Sequence, residues 1–172
     1  MTPDHHDADC LFCGIAAGSE PARVVAETAD TLTFLPRNPV HPGHVLVVPR
    51  RHVADIWGLD TATAAAVGAA VLRAAHAVRA VHRPEGLNVI QSSGAAATQS
   101  VPHLHVHVVP RYEGDRMPRL WPGHIEPEPE LLDESARRLR AETASQHEQP
   151  REYQGQNQAA VKARQGGRDS RS

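Results

Sequence analysis

Between Gln99 and Arg111 the chain reads QSVPHLHVHVVPR, which sets His103, His105 and His107 at alternate positions between Leu104, Val106 and Val108. A two-residue period predicts a strand from Pro102 to Pro110 with all three imidazoles on one face and a purely apolar opposite face. Alternate residues on one strand stand roughly 6.5 to 7 Å apart, so three rings cannot converge on one atom unaided and must divide the labour. An ordinary solvent-facing strand would use Thr, Lys or Glu at these positions rather than three histidines. Two readings remain: a metal site, or a nucleophilic imidazole oriented and activated by its neighbours. Such a nucleophile needs a carbonyl or second imidazole to fix its tautomer. It also needs donors for a leaving group and for the charged oxygens of an acyl or phosphoryl transition state. Gln99 and Ser100, immediately upstream, are the candidate donors.

Composition narrows the classes. The chain of 172 residues holds 12 histidines, and its 18 Lys+Arg against 20 Asp+Glu leave a formal charge of −2, which argues against a dedicated nucleic-acid binder. Aromatic residues are 3 % of the total, so the core must be built from Val, Leu, Ile and Ala. The two cysteines, Cys10 and Cys13, form one CxxC pair, too few for a secreted disulfide scaffold and better suited to metal or redox use in a reducing, cytoplasmic setting. The N-terminus MTPDHHDADCLFC is acidic and lacks the regions of a signal peptide. Ala62–Val81 is about long enough to cross a bilayer, but Arg73, His76 and Arg79 make it an amphipathic helix, so no membrane segment is expected.

Along the chain, Val24–Glu27 and Thr31–Leu35 read as a hairpin joined by Thr28-Ala29-Asp30. The Pro-rich segment Pro36–Gly43 reads as a loop, and His44–Pro49 as a buried strand. A helix follows from Asp60 or Thr61 to about His82, with Ala64, Val67, Val71, Ala74, Val78 and Val81 as its apolar stripe and Gly68 as the mark of a close backbone contact. Leu87–Gln91 is a further strand, Ser92–Ser100 a loop of small residues, and Leu131–Thr143 a short charged helix. The expected organisation is a flexible N-terminus over 1–9, one domain over 10–125, and a charged, largely disordered tail over 126–172 that is too poor in apolar side chains to offset its ordering entropy. His5 and His6 read as solvated, His41 as a candidate substrate contact, and Trp121 as either a pocket cap or a packing residue.

Four segments, in order, resemble the histidine triad (HIT) family, in its zinc-containing, Hint-like bacterial branch. QSVPHLHVHVVPR matches the His-φ-His-φ-His-φ-φ signature, and CLFCGIAAGSEPARVVAET resembles the family's zinc knuckle and first strand. NPVHPGHVLVVPRRH resembles its Pro-Gly-His strand, and GLNVIQSSGAAATQS its phosphate-side loop, so that the likeness covers about Cys10 to Trp121. The resemblance implies an α+β fold: an antiparallel sheet of about five strands, one long helix, a shorter helix, and commonly a homodimer. It implies a nucleotidyl hydrolase or transferase acting on the α-phosphate of a purine nucleotide derivative through a nucleotidyl-histidine intermediate, in the manner of a phosphoramidase or dinucleoside polyphosphate hydrolase.

By the same resemblance, His105 occupies the nucleophile position, His107 the third triad position that orients or relays protons near it, and His44 a fourth histidine beside the phosphate. Ser100 matches a hydroxyl that assists the leaving group, Gln99 a phosphate-side amide, and Asn38 the Asn of an Asn-Pro loop beside the nucleotide. Cys10, Cys13, His52 and His103 match the ligands of a structural zinc ion, and two thiolates with two imidazoles suit a tetrahedral site. Two positions depart from the pattern. Pro36 stands where the family usually has an acidic residue on the ribose hydroxyls, and it cannot replace those hydrogen bonds. Ser92 stands where Asn is common. These departures motivate an alternative, a nucleotide- or partner-binding protein that keeps the fold without catalysis.

Overall fold

A computed structural model of the chain describes residues 7–117 and 128–148. The chain divides into two units, Met1–Met117 and Pro118–Ser172. The first contains α1 (Leu11–Ala17), β1 (Arg23–Glu27), β2 (Thr31–Leu35), β3 (Val45–Pro49), α2 (Thr61–His82), β4 (Gly86–Gln91) and β5 (Val106–Arg111), with 3-10 turns at Ile56–Gly58 and Ala95–Ala97. The strands form one antiparallel sheet in the order β1-β2-β3-β5-β4. This is the expected α+β architecture of five strands, one long helix and a shorter one.

Each element has a local cause. The β1–β2 hairpin closes through Thr28, whose backbone N–H donates to Thr31 O and whose Oγ1 accepts from the N–H groups of Asp30 and Thr31. Helix α2 begins where Asp60 Oδ1 accepts from Thr63 N–H at 2.8 Å, satisfying one of the donors a helix start leaves open. It ends at Arg83, in the left-handed region. The apolar run of β3 follows from burial on both faces. Val45 and Val47 join Val67, Ala70, Ala74 and Val78 of α2, whereas Leu46 and Val48 join Phe12, Leu32 and Phe34 on the α1 side. Although α2 is long and apolar enough to cross a membrane by length and composition, its buried residues pack on this sheet.

Three expectations need correction. The histidine strand is shorter than its pattern: β5 starts at Val106, so His103 and His105 precede the ladder. Pro102 brings no N–H, and Leu104 N–H donates to Val53 O at 2.6 Å, so the approach is drawn onto the segment after β3. The α2 stripe also drifts: Ala70 takes a buried place that Ala64 and Val81 do not, and Val81 is 73 % exposed. Gly68 marks no close contact, for a Cβ there would meet open space. The glycine that does carry a constraint is Gly43, at φ +89° with the His82 ring filling the place of its side chain.

The second unit contains α3, Pro129–Glu148, longer than the expected Leu131–Thr143 because proline is well suited to a first helical position. Leu131, Leu132 and Leu139 are exposed on it. The expected boundary between 125 and 126, Trp121, His5, His6 and the tail beyond 148 lie outside the described residues.

Because Gly68 is exposed, helical and sterically open, Gly68→Ala is expected to stabilise the protein by about 0.5–1 kcal/mol. Chemical denaturation of the two proteins side by side measures this, and a lower midpoint for the variant would contradict it.

Candidate active site and metal cluster

β5 lies between β3 and β4, and His107 pairs with Leu46 on one side and Ile90 on the other. The alternation holds through the approach even without the ladder: Leu104, Val106 and Val108 enter the α2-side core, and the histidines turn to the α1 side. There Phe12 meets the His103 and His105 rings edge-on, with centroids 5.8 and 5.4 Å away.

Hydrogen-bond partners assign the tautomers. A carbonyl oxygen only accepts, so His105 Nδ1, 2.7 Å from His103 O, carries the proton and leaves Nε2 with a bare lone pair. His44 Nδ1 accepts from Val40 N–H at 3.2 Å, so its proton sits on Nε2 and is donated to His107 Nδ1 at 2.9 Å. His107 in turn carries its own proton on Nε2. The His105 and His107 rings are 5.1 Å apart, so the ring with the bare Nε2 and the ring with the Nε2–H are neighbours. Burial, with His107 and His41 nearby, lowers the His44 pKa to about 4, and burial beside His105 lowers that of His107. Both are therefore neutral near pH 7.

A separate cluster gathers Cys10, Cys13, His52 and His103, whose ligand atoms all lie within 4.8 Å of one another. Cys10 Sγ and Cys13 Sγ stand 3.4 and 3.6 Å from His103 Nδ1, and Cys13 Sγ stands 3.4 Å from His52 Nδ1. Sulfur and nitrogen ligands on a tetrahedral zinc stand about 3.6 Å apart, so these residues fit the ion. His103 Nε2–H donates to Pro49 O at 2.9 Å, which turns its bare Nδ1 toward the thiols. Asp7 Oδ2 is 3.9 Å from His52 Nε2, close in charge but too far for a hydrogen bond. Burial pushes the Cys13 thiol up to about 11, a cost that a bound dication would reverse.

The remaining sequence candidates are arranged differently. The side chains of Asn38, Ser92 and Ser100 make no hydrogen bond to the histidines among the described residues; Asn38 and Ser100 are exposed, and Ser92 is half-buried. The Gln99 amide is engaged with backbone: Nε2 donates to Ala54 O and Val101 O, and Oε1 accepts from Gly94 N–H. His41 packs on Tyr112 with its Nε2 3.6 Å from Asp115 Oδ2, and the Arg111 guanidinium holds the Asp115 carboxyl well below the usual range. Sequence reasoning missed Phe12, the Val40 N–H and the Pro49 carbonyl. Phe12, between the two cysteines, carried a positional signal; backbone groups carry none.

The pattern of the HIT domain family matches residues 17–114. A Bacillus subtilis relative called "Protein hit" is 37 % identical over 123 residues, 71 % of this chain and 85 % of its own. An adenosine 5′-monophosphoramidase of Schizosaccharomyces pombe is 37 % identical over 102 residues, 59 % of this chain and 74 % of its own. The crystal structure of a zinc-bound histidine triad family protein from Mycobacterium smegmatis aligns with a TM-score of 0.60 and 35 % identity, covering 81 % of this chain and 96 % of that one.

The folded pKa of His44 lies below its ordinary 6.5, so protons bind the unfolded chain first. The stability this neutral histidine contributes is complete above pH 6.5 and is lost as pH falls toward about 4. Thermal midpoints of wild type and His44→Gln across that window are expected to show a shallower acid slope in the variant; identical slopes would contradict the assignment.

Proposed function

Since the chain belongs to the histidine triad (HIT) family, we propose that it is a nucleotidyl hydrolase or transferase that acts on the α-phosphate of a purine nucleotide derivative and releases a nucleoside monophosphate. The observation that carries this reading is the 2.7 Å contact between His105 Nδ1 and His103 O, which leaves Nε2 of a buried ring unprotonated and ready to attack. Similarity to an adenosine 5′-monophosphoramidase supports a phosphoramidate as the trial substrate.

In this reading Nε2 of His105 forms a bond to phosphorus as the bond from phosphorus to the leaving group breaks. Charge that develops on the ring is met by the His103 carbonyl at Nδ1–H. His107 supplies the proton the leaving amine requires, through its Nε2–H, and His44 Nε2–H supports the nitrogen opposite. Water then attacks the nucleotidyl-histidine, frees His105 and returns a proton to the relay. Ser100 assists the leaving group from the loop, and Ser92 and Asn38 line the nucleotide side. Zinc bound by Cys10, Cys13, His52 and His103 would stabilise the fold locally by tying α1 to the segment that carries the nucleophile.

The protein acts, in this proposal, as a cytoplasmic homodimer without nucleic acid or membrane partners. β4 is an edge strand with Val89 54 % exposed, a surface suited to a second copy. A binding-only role is favoured by one feature, Pro36, which offers the ribose no hydrogen-bonding side chain. AMP binding without turnover of any nucleotide derivative would support that role instead.

The purified protein is expected to release AMP from adenosine 5′-phosphoramidate, and His105→Ala to lose about a thousandfold or more in kcat while still binding AMP. Equal turnover by the variant, followed chromatographically, would overturn the proposal. Elemental analysis is expected to find about one zinc per chain in wild type and far less in Cys13→Ser; equal content would remove zinc from this cluster.

A further inference from the structure

A primary amide has two N–H donors and one acceptor oxygen. In Gln99 both donors are committed, to Ala54 O at 2.6 Å and Val101 O at 3.0 Å, and the oxygen accepts from Gly94 N–H at 2.7 Å. What remains is acceptor capacity, which an anionic phosphate cannot use. The residue before it, Thr98, is held at φ +67°, a left-handed conformation that a β-branched side chain adopts only under constraint. The bonds that hold the loop in this shape are those of Gln99, together with Gln99 N–H to Gly94 O at 3.2 Å and Thr98 N–H to Ala95 O at 3.0 Å.

The three partners are spread along the chain in a telling way. Gly94 opens the loop, Ala54 lies two residues beyond His52, and Val101 lies two residues before His103. Ser93 adds a parallel tie, since its Oγ accepts from Ile56 N–H at 3.0 Å. Leu104 N–H to Val53 O completes a ladder of contacts between the 53–56 segment and the loop with its exit.

We infer that Gln99 is a positioning residue, a staple that couples the 94–101 loop to the two segments bearing the metal-cluster histidines His52 and His103, and does not bind phosphate through its amide. Loop geometry and cluster rigidity therefore rise and fall together. Through the His103 carbonyl the same staple reaches Nδ1 of His105. The inference rests on the proposed phosphoryl chemistry only for its kinetic readout.

The test compares the full chain with Gln99→Ala and Gln99→Glu, the latter setting a carboxylate against two carbonyl oxygens. Hydrogen exchange at the Gly94 amide in ligand-free protein is expected to quicken by about tenfold in Gln99→Ala. Metal release to a chromogenic chelator is expected to quicken by about tenfold, more in Gln99→Glu than in Gln99→Ala. With adenosine 5′-phosphoramidate, kcat falls about tenfold and the AMP dissociation constant stays within about threefold in Gln99→Ala. Exchange and metal release unchanged within about twofold, with AMP affinity reduced about tenfold, would overturn the inference and return the amide to the phosphate. A wild type that releases no AMP would defeat the functional proposal alone, because exchange and metal release still decide this one. Should Gln99→Glu fail to fold, Gln99→Ala decides, and should the wild type carry no metal, the Gly94 amide decides.

Discussion

The hydrogen bond from His105 Nδ1 to the carbonyl oxygen of His103 fixes which nitrogen of the His105 ring is bare, and it depends on that carbonyl being held still. His103 is fully buried and is held at its ring by the Pro49 carbonyl on one nitrogen and the two thiols on the other. A backbone oxygen has no rotamer freedom of its own, so immobilising the residue immobilises the acceptor. The side chain of His103 belongs to the Cys/His cluster and its main chain supports the His105 ring. One buried residue thus joins the cluster to the ring with the bare nitrogen.

The second support is apolar. Phe12 projects from between Cys10 and Cys13 and packs edge-on against Phe34, His103 and His105. Because α1 is only 7 residues long, it has little stability as an isolated helix. Burial of Phe12 and convergence of the two cysteines on His103 are what keep it in place. Burial also lowers the pKa of His44 and His107, so the enclosure that fixes the rings keeps them neutral and able to pass a proton.

Much of this was readable from residues alone where a signal repeats. The β1–β2 hairpin, the β3 run and the α2 span are written in turn chemistry, apolar continuity and an N-cap aspartate, and the structure follows them closely. The one-face histidine pattern also survives, since alternation governs side-chain direction in any extended chain. Its ladder was less readable, because whether Leu104 bonds to β3 or to Val53 depends on a tertiary contact with no sequence mark. Gly68 shows the limit of composition: a glycine in a helix reads as a packing demand, yet its surroundings are open. Gln99 reads as a donor from its place just upstream of the histidines, and family likeness sets its amide beside the phosphate, but only the folded chain shows that both its donors are already taken. Backbone groups such as Val40 N–H and Pro49 O could not be found at all, for every residue has them.

The contact between Gly43 and His82 gives α2 an unexpected office. The helix has 22 residues, about 33 Å, starting at the Asp60 cap and ending where the His82 ring fills the space beside Gly43 and the His82 carbonyl accepts from Tyr112 OH. One added residue would rotate that ring by about 100° and carry it away from the loop that leads into His44. The helix is therefore a ruler as well as a core element, and its length in whole residues is part of what sets His44 beside His107.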